Sequence, residues 1–169
     1  IRNKIAILVA GGIFITLLPL AFLAVQWLEH QALEDLKREA LITADFLSDA
    51  VSASVDLEDG DSVNRALESA TRRKNIVFIQ VYNVNEELLT SYQTERAGIL
   101  HFPKQTDHPQ SLNPKNGIVV ALHPIPSPIN NEVSIGTFVL GISTELLEER
   151  THQFRIAGLG ISIILFVVG

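Results

Sequence analysis

The chain has 169 residues, 47% of them hydrophobic and 19% charged, with a formal net charge of −6 at pH 7. The apolar residues gather at the two ends, which marks a membrane protein, and the mildly acidic stretch between them argues against nucleic acid as a partner. Without a single Cys there is no disulfide, no thiol nucleophile and no thiolate metal or haem site.

From Ile5 to Leu28 no side chain is charged, enough for a helix to cross a hydrocarbon core of about 30 Å. The run exceeds the roughly 7–15 residues of a signal-peptide core, and Phe22-Leu23-Ala24 is a poor cleavage site, so an uncleaved anchor is expected. Arg2 and Lys4 just before it favour a cytoplasmic N-terminus; Lys37 and Arg38 on the far side make that bias weak. A second apolar run, 156–169, reads as the start of another membrane helix, as if the chain were an excerpt of a longer protein without its initiator Met. The organisation expected is a cytoplasmic stub and first membrane helix over 1–28, an outer domain over 29–155, and a truncated second membrane helix over 156–169. That places a multi-pass protein in the inner membrane, with 29–155 in the periplasm or outside the cell.

Within the middle region, Glu29 to Asp56 reads as a long helix. Leu33, Leu36, Ala40, Thr43, Leu47, Ala50 and Ser54 recur at three- and four-residue steps, a seam that serves either a dimer or the helix's own domain. "DLEDGDS" (56–62) fails as an EF-hand loop. With Gly60 sixth, Val55 and Leu57 occupy liganding positions and offer no side-chain oxygen. It reads as a turn, with Asp61 or Ser62 capping a second helix that ends in Arg72, Arg73 and Lys74. "IVFIQVY" (76–82) is β-branched and aromatic, and Leu88–Tyr92 returns after a turn at Asn83-Val84-Asn85-Glu86. A polar, Pro-containing loop over 93–116 follows, with room for a short strand at 99–102. Strands at 118–123 and 133–142 flank a turn built on "PIPSPINNE". Two helices, three to five antiparallel strands and a closing helix describe an α+β domain.

In that order, the acidic turn, the short helix with its basic end, "IVFIQVYNVNEELLTSY" and "GTFVLGISTELLEERTHQFR" (136–155) resemble the extracytoplasmic Cache or CHASE-type sensor domain of bacterial membrane receptors. Such domains sit in sensor histidine kinases, including the BarA/GacS type, and in diguanylate cyclases. The resemblance implies a PAS-like five-stranded antiparallel sheet behind a long N-terminal helix, a homodimer, and a cytoplasmic output module, a histidine kinase before a cyclase or chemotaxis module. It departs at the hairpin, where an Asp and a Gly frequent in the family are replaced by Asn83 and Glu86. A membrane-anchored periplasmic scaffold is the competing class.

No catalytic constellation is legible, and no cofactor or metal is expected: His101, His108 and His123 lack ligand spacing. The resemblance implies a pocket between the curved sheet and the loop 93–116, open to a small-molecule or protein ligand. Tyr82, Tyr92, Arg96, His101 and His123 are the polar side chains near it, with Arg96 the natural bidentate partner of a carboxylate. For each of them, surface or core-edge packing without a ligand is the competing reading. At the end of the chain, Ser143 or Thr144 is read as the cap of a helix whose stripe of Leu147, Arg150, Phe154, Ala157, Ile161, Ile164 and Val168 continues in phase into the second apolar run.

Overall fold

The computed structural model describes the backbone of residues 2–93, 102–130 and 132–145, with side chains at Pro19 and from 22 onward within those ranges. The expected strand at 99–102, apart from Phe102, and the exit helix beyond Glu145 lie outside the described residues.

α1 is a single helix, Arg2–Asp56, with Pro19 inside it. The two helical stretches read from the sequence thus join without a turn. Among the described residues no helix is long and apolar enough to cross a membrane. Most side chains of the first apolar run, and all of the second, lie outside that description. Residues 35–145 form one compact unit, and α1 up to Glu34 belongs to another.

In the 35–145 unit, α1 buries Ala40, Ala44, Leu47, Ser48, Val51 and Val55, a stripe at helical spacing turned to its own domain. Ala40 and Leu47, candidates for a dimer seam, are covered within the monomer. Leu33 and Leu36 remain half-buried.

The helix closes through a Schellman motif: Glu58 takes φ 53°, its N–H bonds the Val55 carbonyl at 3.0 Å, and the Asp59 N–H bonds Ser54 at 2.9 Å. Asp59 then caps α2 (Gly60–Thr71), its carboxylate accepting from the Ser62 N–H at 3.1 Å and the Ser62 hydroxyl at 2.5 Å. The cap expected at Asp61 or Ser62 therefore sits earlier. Those residues are already in the first turn, and the acid three residues before Ser62 reaches its free N–H. Gly60 is required there because a Cβ would meet the Leu89 carbonyl.

Five strands, β1 (Ile76–Asn83), β2 (Leu88–Gln93), β3 (Gln110–Lys115), β4 (Ile118–Pro126) and β5 (Ser134–Ser143), form one sheet in the order β2-β1-β5-β4-β3. Every neighbouring pair is antiparallel. The last strand in sequence is central in space, and Gly136 to Ile142 are all buried. β3 falls inside the stretch read as loop. Its sequence, QSLNPK, is polar and contains a proline, tolerable because it is an edge strand with an exposed second half. The β3–β4 hairpin closes on Asn116 and Gly117, at φ 55° and 72°, the two-residue loop favoured by Asn-Gly.

β4 also continues through Pro124 and Pro126, where a turn was expected. Both pair with β5, while the pairing of β3 with β4 reaches only Leu122. Beyond it no described strand pairs with β4 on that side, where a residue without an N–H breaks no ladder.

Candidate functional site

Strand register divides the sheet into two faces. Opposite residues of an antiparallel pair share a face and successive residues alternate. Val81 pairs with Thr90 on one side and Phe138 on the other, and Phe138 pairs with His123. This is the helical face: Thr90 donates to Asn64 of α2, and His123 meets Ser48 of α1.

The opposite face carries Phe78, Gln80, Tyr82, Thr137, Val139, Val120, Leu122 and Gln110. No helix covers it among the described residues. The segment 102–108 does. Phe102 stacks on Phe78 with centroids 5.7 Å apart, and the Thr106 N–H bonds the Thr137 hydroxyl at 3.3 Å. The Lys104 ammonium stands 5.8 Å from the centre of the Tyr82 ring. Gly141 makes room for this arrangement, since a Cβ there would enter the Phe78 ring.

A depression of about 390 Å³ opens in this segment, lined by Pro103, Gln105, Thr106, Asp107, His108 and Gln110. Its floor is polar and organised. Thr106 is buried, donates to the His108 carbonyl at 2.6 Å, and accepts from the Gln110 amide at 3.1 Å. Beside it Tyr82 donates to Gln80 at 3.0 Å, and burial raises its phenol above the ordinary range. The arrangement offers amides, hydroxyls and one cation to a small polar molecule.

The residues read from the sequence as a ligand set are divided by the sheet. Tyr82 lies on the loop-covered face, next to the depression. Tyr92, the partner of Ile79, is half-buried on the helical face, and His123 is on that face too. Arg96 and His101 lie outside the described residues. His108 is exposed at the depression, away from His123, and among the described residues no three His, Asp or Glu gather as a metal would require. Sequence reasoning did not single out Lys104, Thr106, Gln110 or Thr137. The Asn116-Gly117 turn was the available signal, because it fixes β3 and so brings Gln110 beside Leu122.

The 35–145 unit is thus an α+β domain with a helical back, a loop-covered front and a central β5. The family model for CHASE8, a periplasmic sensor domain, matches residues 32–140, and the chain belongs to that family. No curated protein matches it significantly.

Proposed function

We propose that the chain is the sensory region of a bacterial membrane receptor, detecting a stimulus outside the cytoplasm and passing it inward through the helix that follows β5. The observation that carries this reading is the position of β5. It is paired on both sides, fully buried along its middle, and its end leads within two residues into the helical start at Glu145. A displacement of either half of the sheet reaches that strand directly. Its end is fixed by two further bonds, Ser143 N–H to Asn75 at 2.9 Å and Thr144 N–H to Gly117 at 2.8 Å, and the Ser143 hydroxyl accepts from the Glu145 N–H at 3.1 Å.

Membrane anchoring is supported at the other end of the chain. Phe22, Leu23, Trp27 and Leu28 are each more than half exposed, a band that water disfavours and lipid accepts. Trp27 stands where the apolar run meets charge, as interfacial aromatics do. In this reading two membrane helices flank the domain, the receptor is a homodimer that pairs along α1 through Leu33 and Leu36, and the output module is a histidine kinase. The ligand, a small molecule or a partner protein, engages the loop-covered face, with Tyr82, Lys104 and Gln110 in reach and Arg96 and His101 from the adjoining segment. Tyr92 and His123 serve the helical side.

Alkaline phosphatase fused after residue 90 tests the topology: it is active in a periplasm-bearing host. An inactive phosphatase with an active cytoplasmic reporter at the same site overturns the reading. The full-length protein given labelled ATP acquires acid-labile phosphate if its output is a kinase; formation of a cyclic dinucleotide from GTP identifies a cyclase instead.

A further inference from the structure

On the helical face, one polar cluster ties α1 to the sheet across 75 positions of sequence. His123 Nδ1 lies 2.8 Å from the Pro124 carbonyl oxygen and 3.0 Å from the Ser48 hydroxyl, and its Nε2 lies 3.2 Å from an Asp45 carboxylate oxygen. The Ser48 hydroxyl already donates to the Asp45 carbonyl at 2.8 Å, so towards His123 it presents lone pairs. Both ring nitrogens therefore face acceptors.

A neutral imidazole has one N–H and one lone pair. With its hydrogen on Nδ1, the Nε2 lone pair points at a carboxylate. With its hydrogen on Nε2, the Nδ1 lone pair points at a carbonyl. Only the doubly protonated ring donates at both ends. Among the described residues the neighbouring elements present these groups: α1 offers Asp45 and, a turn further on, Asp49; β5 places Phe138 opposite, and β3 places Ser111 on the same face. The Lys37 ammonium, two turns before Asp45, bonds Asn113 of β3 at 3.0 Å. The imidazole side chain is 12% exposed and Asp45 62%, so a proton enters from the Asp45 side without unfolding.

We propose that this seam is a proton-binding site, and that acidity outside the cell is a stimulus of the sensor. With the proton bound, His123 bridges Asp45 on α1 and Pro124 on β4. When the proton leaves, the ring keeps a single N–H: one tautomer loses the bond to Asp45 and the other turns a lone pair on the Pro124 carbonyl, so the tie between helix and sheet weakens. The bridged form needs the added proton and therefore lies on the acid side. Next to the seam is β5, through the His123–Phe138 pair. The stimulus rests on the sensor reading; the proton site itself does not.

Hydrogen–deuterium exchange of the whole chain in lipid nanodiscs tests it, comparing α1 peptides over 44–52 at about pH 5.5 and about pH 7.5, either side of the usual histidine titration, after correction for intrinsic exchange. Protection is greater at the acid pH by a few fold, about five at most, since one partner is exposed. In His123→Gln, with no charge to change, the two pH values give equal protection. In Asp45→Asn, whose exposed side chain can change without disturbing the core, the ratio falls towards one. Equal protection in the unaltered chain, or a full ratio kept in both variants, overturns the proton site. Neither result touches the sensor reading, which stands or falls on the phosphatase fusion.

Discussion

Glu58, Glu86 and Asn116 hold left-handed backbone at φ 53°, 61° and 55°, a conformation natural to glycine and tolerable to asparagine. Glu86 sits where the family frequently has Gly, and the tight turn forms without it because Asn83 organises it. The Asn83 side-chain oxygen accepts from the Asn85 and Glu87 N–H groups, both at 2.9 Å, and its amide donates to the Glu87 carboxylate at 3.0 Å. For a residue with a Cβ the left-handed region costs about 1–2 kcal/mol, while a new glycine loosens the unfolded chain by about 0.4–1 kcal/mol. Glu86→Gly and Glu58→Gly therefore each stabilise the domain by roughly 0.5–1 kcal/mol, the difference of those two effects, measured as a higher unfolding midpoint. Asn83→Ala has the opposite sign and lowers it.

Two ionisable side chains add pH dependence at this scale. The bonds from the Ser62 hydroxyl and N–H hold the Asp59 carboxyl below its usual value of 3.8. The cap thus contributes above the usual carboxylate range and is lost as the pH falls below it. Exchange in the first turn of α2 should speed up in acid, and Asp59→Ala should remove that acceleration. Tyr82 moves the other way. Burial favours its neutral form, so stability is kept below about pH 10 and declines as the pH rises beyond it; ultraviolet titration should show one tyrosine ionising late, and Tyr82→Phe should abolish the late step.

At the scale of elements, what was legible in the sequence followed pattern. β1 and β5 were readable because β-branched and aromatic residues fill them, and α1 because its apolar steps are helical. β3 was not, because an edge strand need not be apolar: its polar letters resemble loop, and only the Asn-Gly turn after it carried the signal. The prolines of β4 misled for a related reason, being tolerated on the stretch of β4 that β3 does not reach. The seam on α1 fitted two uses, and burial now separates them. Cys at Leu47, only 5% exposed, should not cross-link between copies, whereas Cys at Leu36 should do so under mild oxidation if the homodimer pairs there. Equal cross-linking at Leu36 and at exposed Glu34 would leave no defined seam. Within the sheet, Gly136→Ala drives a Cβ into the Tyr82 carbonyl. The strands must part, at a cost of about 1–3 kcal/mol as for other overpacked sites, and the thermal midpoint should fall accordingly.

For the molecule as a whole, the sensor class was readable from element order, and the family match over 32–140 agrees with it. The binding face was only half readable. Polar side chains near a predicted strand end cannot be assigned to one side of a sheet until the register is fixed, and so Tyr82 was grouped with His123 although the sheet separates them. The central proposal is mechanical: β5 would hand its displacement to the exit helix expected from the sequence, whose stripe continues in phase into the second apolar run. Two glycines inserted after His152 in the full-length receptor would break that helix, because glycine is a poor helix former, and leave the sheet untouched. The stimulus-dependent output of the insertion variant, measured beside the unaltered receptor at equal membrane levels, should be lost or reduced to a small fraction. A response of full amplitude would contradict the claim and make the helix an anchor only.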